Sequence, residues 1–246
     1  MMTMELVLAH LYPQHMNLYG DRGNVLALQY RSQKRGINFR VVDVEMGQDV
    51  DWKKVDIVFM GGGEDSHQAM IYEDFLGRKN SLAEALFRGL PMLAVCGAYQ
   101  LLGHEYMMAN GQNLEGIGFL DITTKPGEKR AIGDVVCDSL LGLEPKTLVG
   151  FENHGGQTFL GEKTRPLARV LLGKGNNGED GTEGAVQAHT IGTYLHGSLL
   201  PKNPQLTDLL ISWAVSRRAG DDVVLPPLDA SWELAAHDVI LKRVKI

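Results

Sequence analysis

A chain of 246 residues with 44% hydrophobic side chains can bury a sizeable core without disulfide or metal staples. A formal net charge of -6 argues against the basic stripe of a nucleic-acid binder, and two cysteines, Cys96 and Cys137, are too few for a disulfide framework. Met1 to Glu5 carries no basic segment and the apolar run Leu6 to Ala9 is too short for a signal peptide or a membrane span, so a cytoplasmic location is expected.

In chain order, short apolar runs predict strands at Glu5 to Ala9, Asn38 to Val44, Val55 to Met60 and Met92 to Val95. Helical patterns lie between them at about Asn24 to Arg35, Glu64 to Leu76 and Ser81 to Arg88. This alternation implies an α/β fold with a mostly parallel central sheet flanked by helices. After Leu120 strand follows strand, at Leu120 to Thr124, Gly133 to Asp138, Thr147 to Glu152, Ala168 to Leu172, Ala185 to Ala188 and Thr190 to Leu195, read as antiparallel additions to the same sheet in the second half. The loop Gly173 to Gly178 lacks the Gly-Lys-Ser/Thr ending of a phosphate cradle and reads as a surface turn. A helix is expected from Pro204, behind an Asn203 cap, to just before Gly220, and a last helix after Asp229. With no repeat or linker, one domain is expected over 1–246, the helices of about 204–246 packing on it.

The chemistry concentrates at strand ends. In Pro91 to Gly103 a buried strand runs straight into a helix with Cys96 at the junction, the geometry of a nucleophile elbow. A helix N-terminus there would lower the thiol pKa, although Cys96 taken alone reads equally as an inert buried cysteine. Gly61-Gly62-Gly63 follows another strand and would let backbone N–H groups, with that of Gly97, approach an oxyanion. His196 closes an apolar strand and suits a general base; His154, between Asn153 and Gly155, is its rival. No metal-ligand spacing is present, so no metal is expected.

Taken together, Gly61-Gly62-Gly63, Cys96-Gly97-Ala98-Tyr99-Gln100, Glu152-Asn153-His154-Gly155-Gly156 and Tyr194-Leu195-His196-Gly197 resemble the class I (triad-type) glutamine amidotransferases, within them the cobyric acid synthase-like group. The segments Asn17 to Asn24 and Gly150 to Thr158 look, more narrowly, like the glutaminase subunits of lipid II isoglutaminyl synthases. The resemblance implies a single class I glutamine amidotransferase domain with Cys96 as nucleophile and His196 as general base. Gly62, Gly63 and Gly97 would line the oxyanion hole, and Gln100, Arg130 and His154 would bind substrate. It further implies L-glutamine as substrate and a MurT-like Mur ligase subunit as heterodimer partner. No cofactor is expected in this chain; ATP and Mg would act on the partner, which amidates the D-glutamate α-carboxyl of the lipid II stem peptide at the inner face of the membrane.

Two features depart from the family pattern. His196-Gly197-Ser198 lacks the carboxylate that many class I enzymes carry two residues after the histidine, leaving Glu152 the nearest internal acid by motif. No ATP-using synthetase domain precedes the first strand and no Walker-type loop is present, which implies a separate partner. The competing readings are a glutaminase for another synthetase, in cobalamin or nucleotide metabolism, and a non-catalytic PfpI-like protein with a reactive Cys96; release of free glutamate separates the latter.

Overall fold

Apolar runs with period-two alternation build a sheet buried on both faces. In a computed structural model, which describes residues 4–108 and 111–246 and only the backbone of Tyr19, strands β1 (Glu5–Leu11), β2 (Asn38–Val44), β3 (Ile57–Met60) and β4 (Met92–Val95) lie parallel in the order β4-β3-β1-β2. Met1 to Thr3 of the amino-terminal reading lie outside the described residues. Helices α1 (Arg22–Gln33), α2 (Asp65–Gly77) and α3 (Lys79–Phe87) connect these strands, and α4 (Gly97–Leu101) follows β4. Alternation divides each strand between two cores: Val58, Met60, Met92 and Ala94 pack with Ile71 and Phe75 of α2, whereas Ile57, Phe59, Leu93 and Val95 pack with Leu28 of α1.

The second half departs from the expected single sheet. Strands β5 (Glu105–Met107), β6 (Asn113–Glu115), β7 (Ile122–Ser139), β8 (Thr147–Leu160), β9 (Ala168–Leu172) and β10 (Thr182–Glu183) form a separate sheet, in which β7 pairs with β5, β8 and β9. The two strands expected around Leu120 to Thr124 and Gly133 to Asp138 are one strand, β7, whose pairing with β8 shifts register between Pro126 and Ala131. Pro126-Gly127 thus marks an irregularity within a hairpin rather than a break between strands. Arg130 sits in that irregular stretch.

Only β11 (Ala185–Gln187) and β12 (Thr190–Thr193) return to the first sheet. β11 is the antiparallel edge, while β12 runs parallel to β4 with Thr193 opposite Val95, which brings the two chemistry-bearing strand ends side by side. After the short helix α5 (Leu199–Lys202), helix α6 (Pro204–Ala219) starts on its proline and stops at Gly220, whose φ of 75° suits glycine. Asn203 does not cap α6 with its side chain. It clamps β8 instead, donating to the Val149 oxygen at 2.8 Å and accepting from the Val149 N–H at 2.9 Å. The last helix, α7 (Ser231–Val244), is tied in by Arg31 of α1, which bonds Asp208 of α6 at 2.7 Å and Glu233 of α7 at 2.8 Å.

Candidate active site

Between β4 and α4 the backbone turns at a residue other than glycine: Cys96 has φ 53° and ψ -105°. A side chain held in that region costs about 1–3 kcal/mol, strain that clusters at functional sites. The backbone pins the turn, since the Cys96 N–H donates to Thr193 at 2.8 Å and the Cys96 carbonyl accepts from the Gln100 N–H at 3.0 Å. The expected lowering of the thiol pKa is overturned. Burial first, and then the charge of Asp21, push Cys96 up to about 12 against the opposing Gly97 N–H and Arg130. Helix α4, five residues long, supplies too small a dipole to reverse that.

The glycine loop after β3 is there because nothing larger fits. A β-carbon on Gly62 would lie 2.9 Å from Cε1 of His196 and 3.3 Å from Cβ of Cys96, so the cysteine and the histidine converge on this one residue. Gly62 is also held from the other side: its N–H donates to Asp21 Oδ2 at 2.7 Å and its carbonyl accepts from Leu18 N–H at 3.2 Å. The Gly62 amide is therefore engaged by a carboxylate, contrary to its expected place as an oxyanion donor. Gly63, by contrast, lines a cavity of about 810 Å³ together with Cys96 and His196. The Gly97 N–H is turned toward the Cys96 sulfur.

Three residues beyond β12, His196 is fastened to β8 by a pair of backbone bonds, Phe151 N–H to its oxygen at 3.2 Å and its own N–H to Phe151 at 2.7 Å. Burial, then the charges of His154 and Arg130, lower the His196 pKa to about 3, so the imidazole is neutral. The hydroxyl of Ser198, two residues after His196, donates to the Gly20 oxygen at 2.6 Å. The carboxylate of Glu152 lies against His154, Oε2 to Nε2 at 3.9 Å. Its two oxygens accept the N–H groups of Lys174 and Gly175 at 2.9 to 3.0 Å, which makes Gly173 to Gly178 a loop wrapped around an internal carboxylate.

The residues expected to bind substrate line the same cavity. Gln100 donates to the Tyr194 hydroxyl at 3.0 Å, and Arg130 grips Asn153 through Nε to Oδ1 at 2.6 Å and Nη2 to the carbonyl at 3.1 Å. His154 stacks on Tyr194 with ring centres 3.7 Å apart, and its Nδ1 pairs with the Gly156 carbonyl at 2.7 Å. Sequence reading assigned no role to Asp21, Gln68 or Tyr194. Gln68 donates to the Gly63 oxygen at 3.1 Å and packs on Gly97, where a β-carbon would come within 2.8 Å of it. Asp21 stood inside the motif Asn17 to Asn24, the one sequence signal that pointed to it. Among the described residues no group of acids, histidines and cysteines is arranged to hold a metal ion, and no helix is long and apolar enough to cross a membrane.

The model of the CobB/CobQ-like glutamine amidotransferase domain matches residues 7–204. A lipid II isoglutaminyl synthase (glutamine-hydrolyzing) subunit GatD from Staphylococcus aureus is 40% identical over 240 residues, 97% of this chain and 96% of that protein. The subunit of the same name from Streptococcus pneumoniae is 39% identical over 90% of this chain and 85% of that protein. A cobyric acid synthase from Pelotomaculum thermopropionicum is 36% identical, covering 66% of this chain but 33% of that protein. Among solved structures, a glutamine amidotransferase from Thermotoga maritima superposes with a TM-score of 0.54 at 14% identity, over 98% of this chain and 95% of that one. The glutaminase domain of Trypanosoma brucei CTPS gives 0.55 at 12% identity, over 90% and 96%. At such identities the structures speak for the fold.

Proposed function

Since the chain belongs to the CobB/CobQ-like glutamine amidotransferase family, we propose that it is the glutamine-hydrolysing subunit of a lipid II isoglutaminyl synthase. It converts L-glutamine to glutamate and ammonia, and passes the ammonia to a separate ligase subunit. The observation that carries this reading is the convergence of Cys96, at a strained strand-to-helix turn, and His196 on the one residue Gly62, both side chains lining a cavity large enough for an amino acid.

With the thiol high and the imidazole low, the resting pair is neutral. As the sulfur attacks the side-chain carbonyl carbon of glutamine, its proton passes to His196 and the carbonyl electrons move onto oxygen. The Gly63 and Gly97 amides are the donors we assign to that oxyanion. Collapse of the intermediate breaks the C–N bond, His196 returns the proton to the departing nitrogen, and ammonia leaves a glutamyl thioester. Water, deprotonated by His196, then releases glutamate and restores the thiol. Arg130 suits the α-carboxylate of the substrate, and Gln100 and His154 shape the remaining wall.

The partner we assign is a MurT-like Mur ligase that holds ATP and Mg and amidates the D-glutamate α-carboxyl group of lipid II at the cytoplasmic face of the membrane. Support comes from the word "subunit" in the names of both relatives matched over nearly the whole chain. The test is reconstitution: with that partner, ATP, glutamine and lipid II, amidated lipid II and glutamate should appear together. Glutamate without amidated lipid II would redirect the ammonia to another acceptor.

A further inference from the structure

Asp21 is fully buried, yet it does none of the usual work of an acid at its position. It precedes α1 but has helical dihedrals, φ -53° and ψ -29°, and its side chain makes no capping bond. One oxygen, Oδ2, accepts the Gly62 N–H at 2.7 Å. The other, Oδ1, has no hydrogen-bond partner among the described residues, and a half-satisfied buried carboxylate is costly. The fit is close: a β-carbon on Gly61 would come within 2.5 Å of Oδ2. An uncharged amide oxygen could accept the same N–H, so what the carboxylate adds is its charge, placed beside the cysteine.

We propose that Asp21 is a positioning residue for the Cys96 chemistry, holding the Gly62 amide so that the loop presents Gly63 to the cavity, and supplying the charge against which the thiol must ionise. The proposal rests on the reading of Cys96 as the glutaminase nucleophile. Asp21 is the foremost charged group holding the thiol in its protonated form, ahead of Asp65 on α2 and opposed by Arg130 on β7. The other ionisable groups that act on the thiol or line its cavity are Glu64 before α2, Tyr106 on β5, His154 on β8, and Tyr194 and His196 after β12. Burial raises Asp21 itself to about 7, so proton uptake near neutrality removes the charge while leaving a carbonyl oxygen to keep the Gly62 N–H. Below that pH the neutral acid no longer opposes ionisation of the thiol, and above it the carboxylate adds to the effect of burial, which is the larger of the two.

The test reads the thiol directly. Alkylation of Cys96 by iodoacetamide, followed by peptide mass, is measured against pH on the full chain as wild type, Asp21→Asn and Asp21→Ala. In the wild type the logarithm of the rate should flatten around the Asp21 value of about 7 and rise again above it. Asp21→Asn should give a straight line and faster alkylation above that point. A fall of one unit in the thiol pKa gives about tenfold more thiolate, reduced to roughly threefold in rate because a less basic thiolate is less nucleophilic. Asp21→Ala should share the faster alkylation but lose more kcat for glutamine than Asp21→Asn, with KM less affected. A wild-type profile without the flattening, or variants that alkylate at the wild-type rate, overturns the proposal; if Asp21→Asn does not fold, the wild-type profile alone decides. Glutamate release by the wild type with its partner is scored separately, so failure of the glutaminase reading is distinct from failure of the Asp21–Cys96 coupling.

Discussion

The backbone N–H of Cys96 donates to the carbonyl oxygen of Thr193 at 2.8 Å, three residues ahead of His196. The strand that delivers the cysteine and the strand that delivers the histidine are thus stitched together at the point where both end, and the spacing of the pair is set by the sheet rather than by flexible loops.

Cys96→Ala or Cys96→Ser should abolish glutamate release while leaving the melting temperature near that of the wild type, because both replacements are small. Cys137→Ser should retain turnover, since Cys137 lies fully buried in β7, away from the cavity. A diazoketone analogue of glutamine should label Cys96 alone, read by peptide mass. Retained activity in Cys96→Ser together with loss in Cys137→Ser would reassign the nucleophile.

His196→Ala should lower kcat by roughly 10²–10⁴-fold, the usual cost of removing a general base, with glutamine affinity little changed. His154→Ala should act mainly on KM and on stability, because it loses the stack on Tyr194 and the bond to Gly156. Steady-state kinetics on both variants decides between them, and the reverse pattern exchanges their roles.

Gly62→Ala tests the convergence itself. Gly62 is not among the glycines at positive φ, so alanine adds no backbone strain, but its methyl group would press on His196 Cε1 at 2.9 Å and Cys96 Cβ at 3.3 Å. Activity should fall by at least about tenfold, the factor for each ~1.4 kcal/mol of lost transition-state stabilisation, while circular dichroism stays unchanged. Wild-type turnover in this variant would mean that the two side chains do not meet there during catalysis.

The sequence made some of this architecture legible and hid the rest for physical reasons. β2, β4 and β9 match their predicted bounds because apolar runs flanked by turn formers are local signals, and α6 runs as read between its proline and its glycine. Strand alternation, however, says nothing about which edge a strand joins, so the second sheet was invisible. Pro126-Gly127 carries the composition of a turn but lies within one long strand. Asp21 matters through Gly62, 41 residues away, which no local pattern reports. The thiol pKa was misjudged for a related reason: the helix dipole is legible in sequence, whereas the burial that outweighs it is a property of the fold.

Glu183 yields a prediction in pH. It is fully buried, accepts from Tyr194 N–H at 3.0 Å and from the Thr193 hydroxyl, and burial raises its pKa to about 7. A carboxyl group raised above its unfolded value contributes stability that is fully present below the unfolded pKa of about 4.5 and is lost as pH rises through about 7. His10 and His196, lowered to about 4 and about 3, act in the opposite sense, since the unfolded chain takes up their protons as pH falls below 6.5. Glu183→Gln removes only the first of these effects. Its stability relative to the wild type, from denaturant midpoints, should therefore rise between about pH 4.5 and 7 and level off above; a difference independent of pH would show that folding leaves the Glu183 pKa at its unfolded value.

Finally, the isolated chain should be a poor glutaminase that becomes competent on binding its ATP-using partner. Three observations lead there. Ser198 stands two residues after His196 and spends its hydroxyl on the Gly20 carbonyl. Glu152, the internal acid nearest by motif, has both oxygens occupied by the Lys174 and Gly175 amides. The cysteine and histidine rest as a neutral pair, with the thiol near 12 and the imidazole near 3, so forming the ion pair needs a negative charge that favours imidazolium. In triad enzymes the loss of such an acid costs about 10⁴-fold in kcat. An Asp or Glu contributed by the partner at the mouth of the cavity would supply that charge and couple glutamine hydrolysis to assembly, so that ammonia is released only where it can be used. Glutamate release is to be compared for the isolated chain, for the complex, and for complexes in which partner carboxylates near the interface are changed to amides. The isolated chain should be slower by orders of magnitude, and one amide substitution should return the complex to that level. Full activity in the isolated chain would sink the shared-acid idea, and loss on Glu152→Gln alone, with the fold intact, would place the acid within this chain.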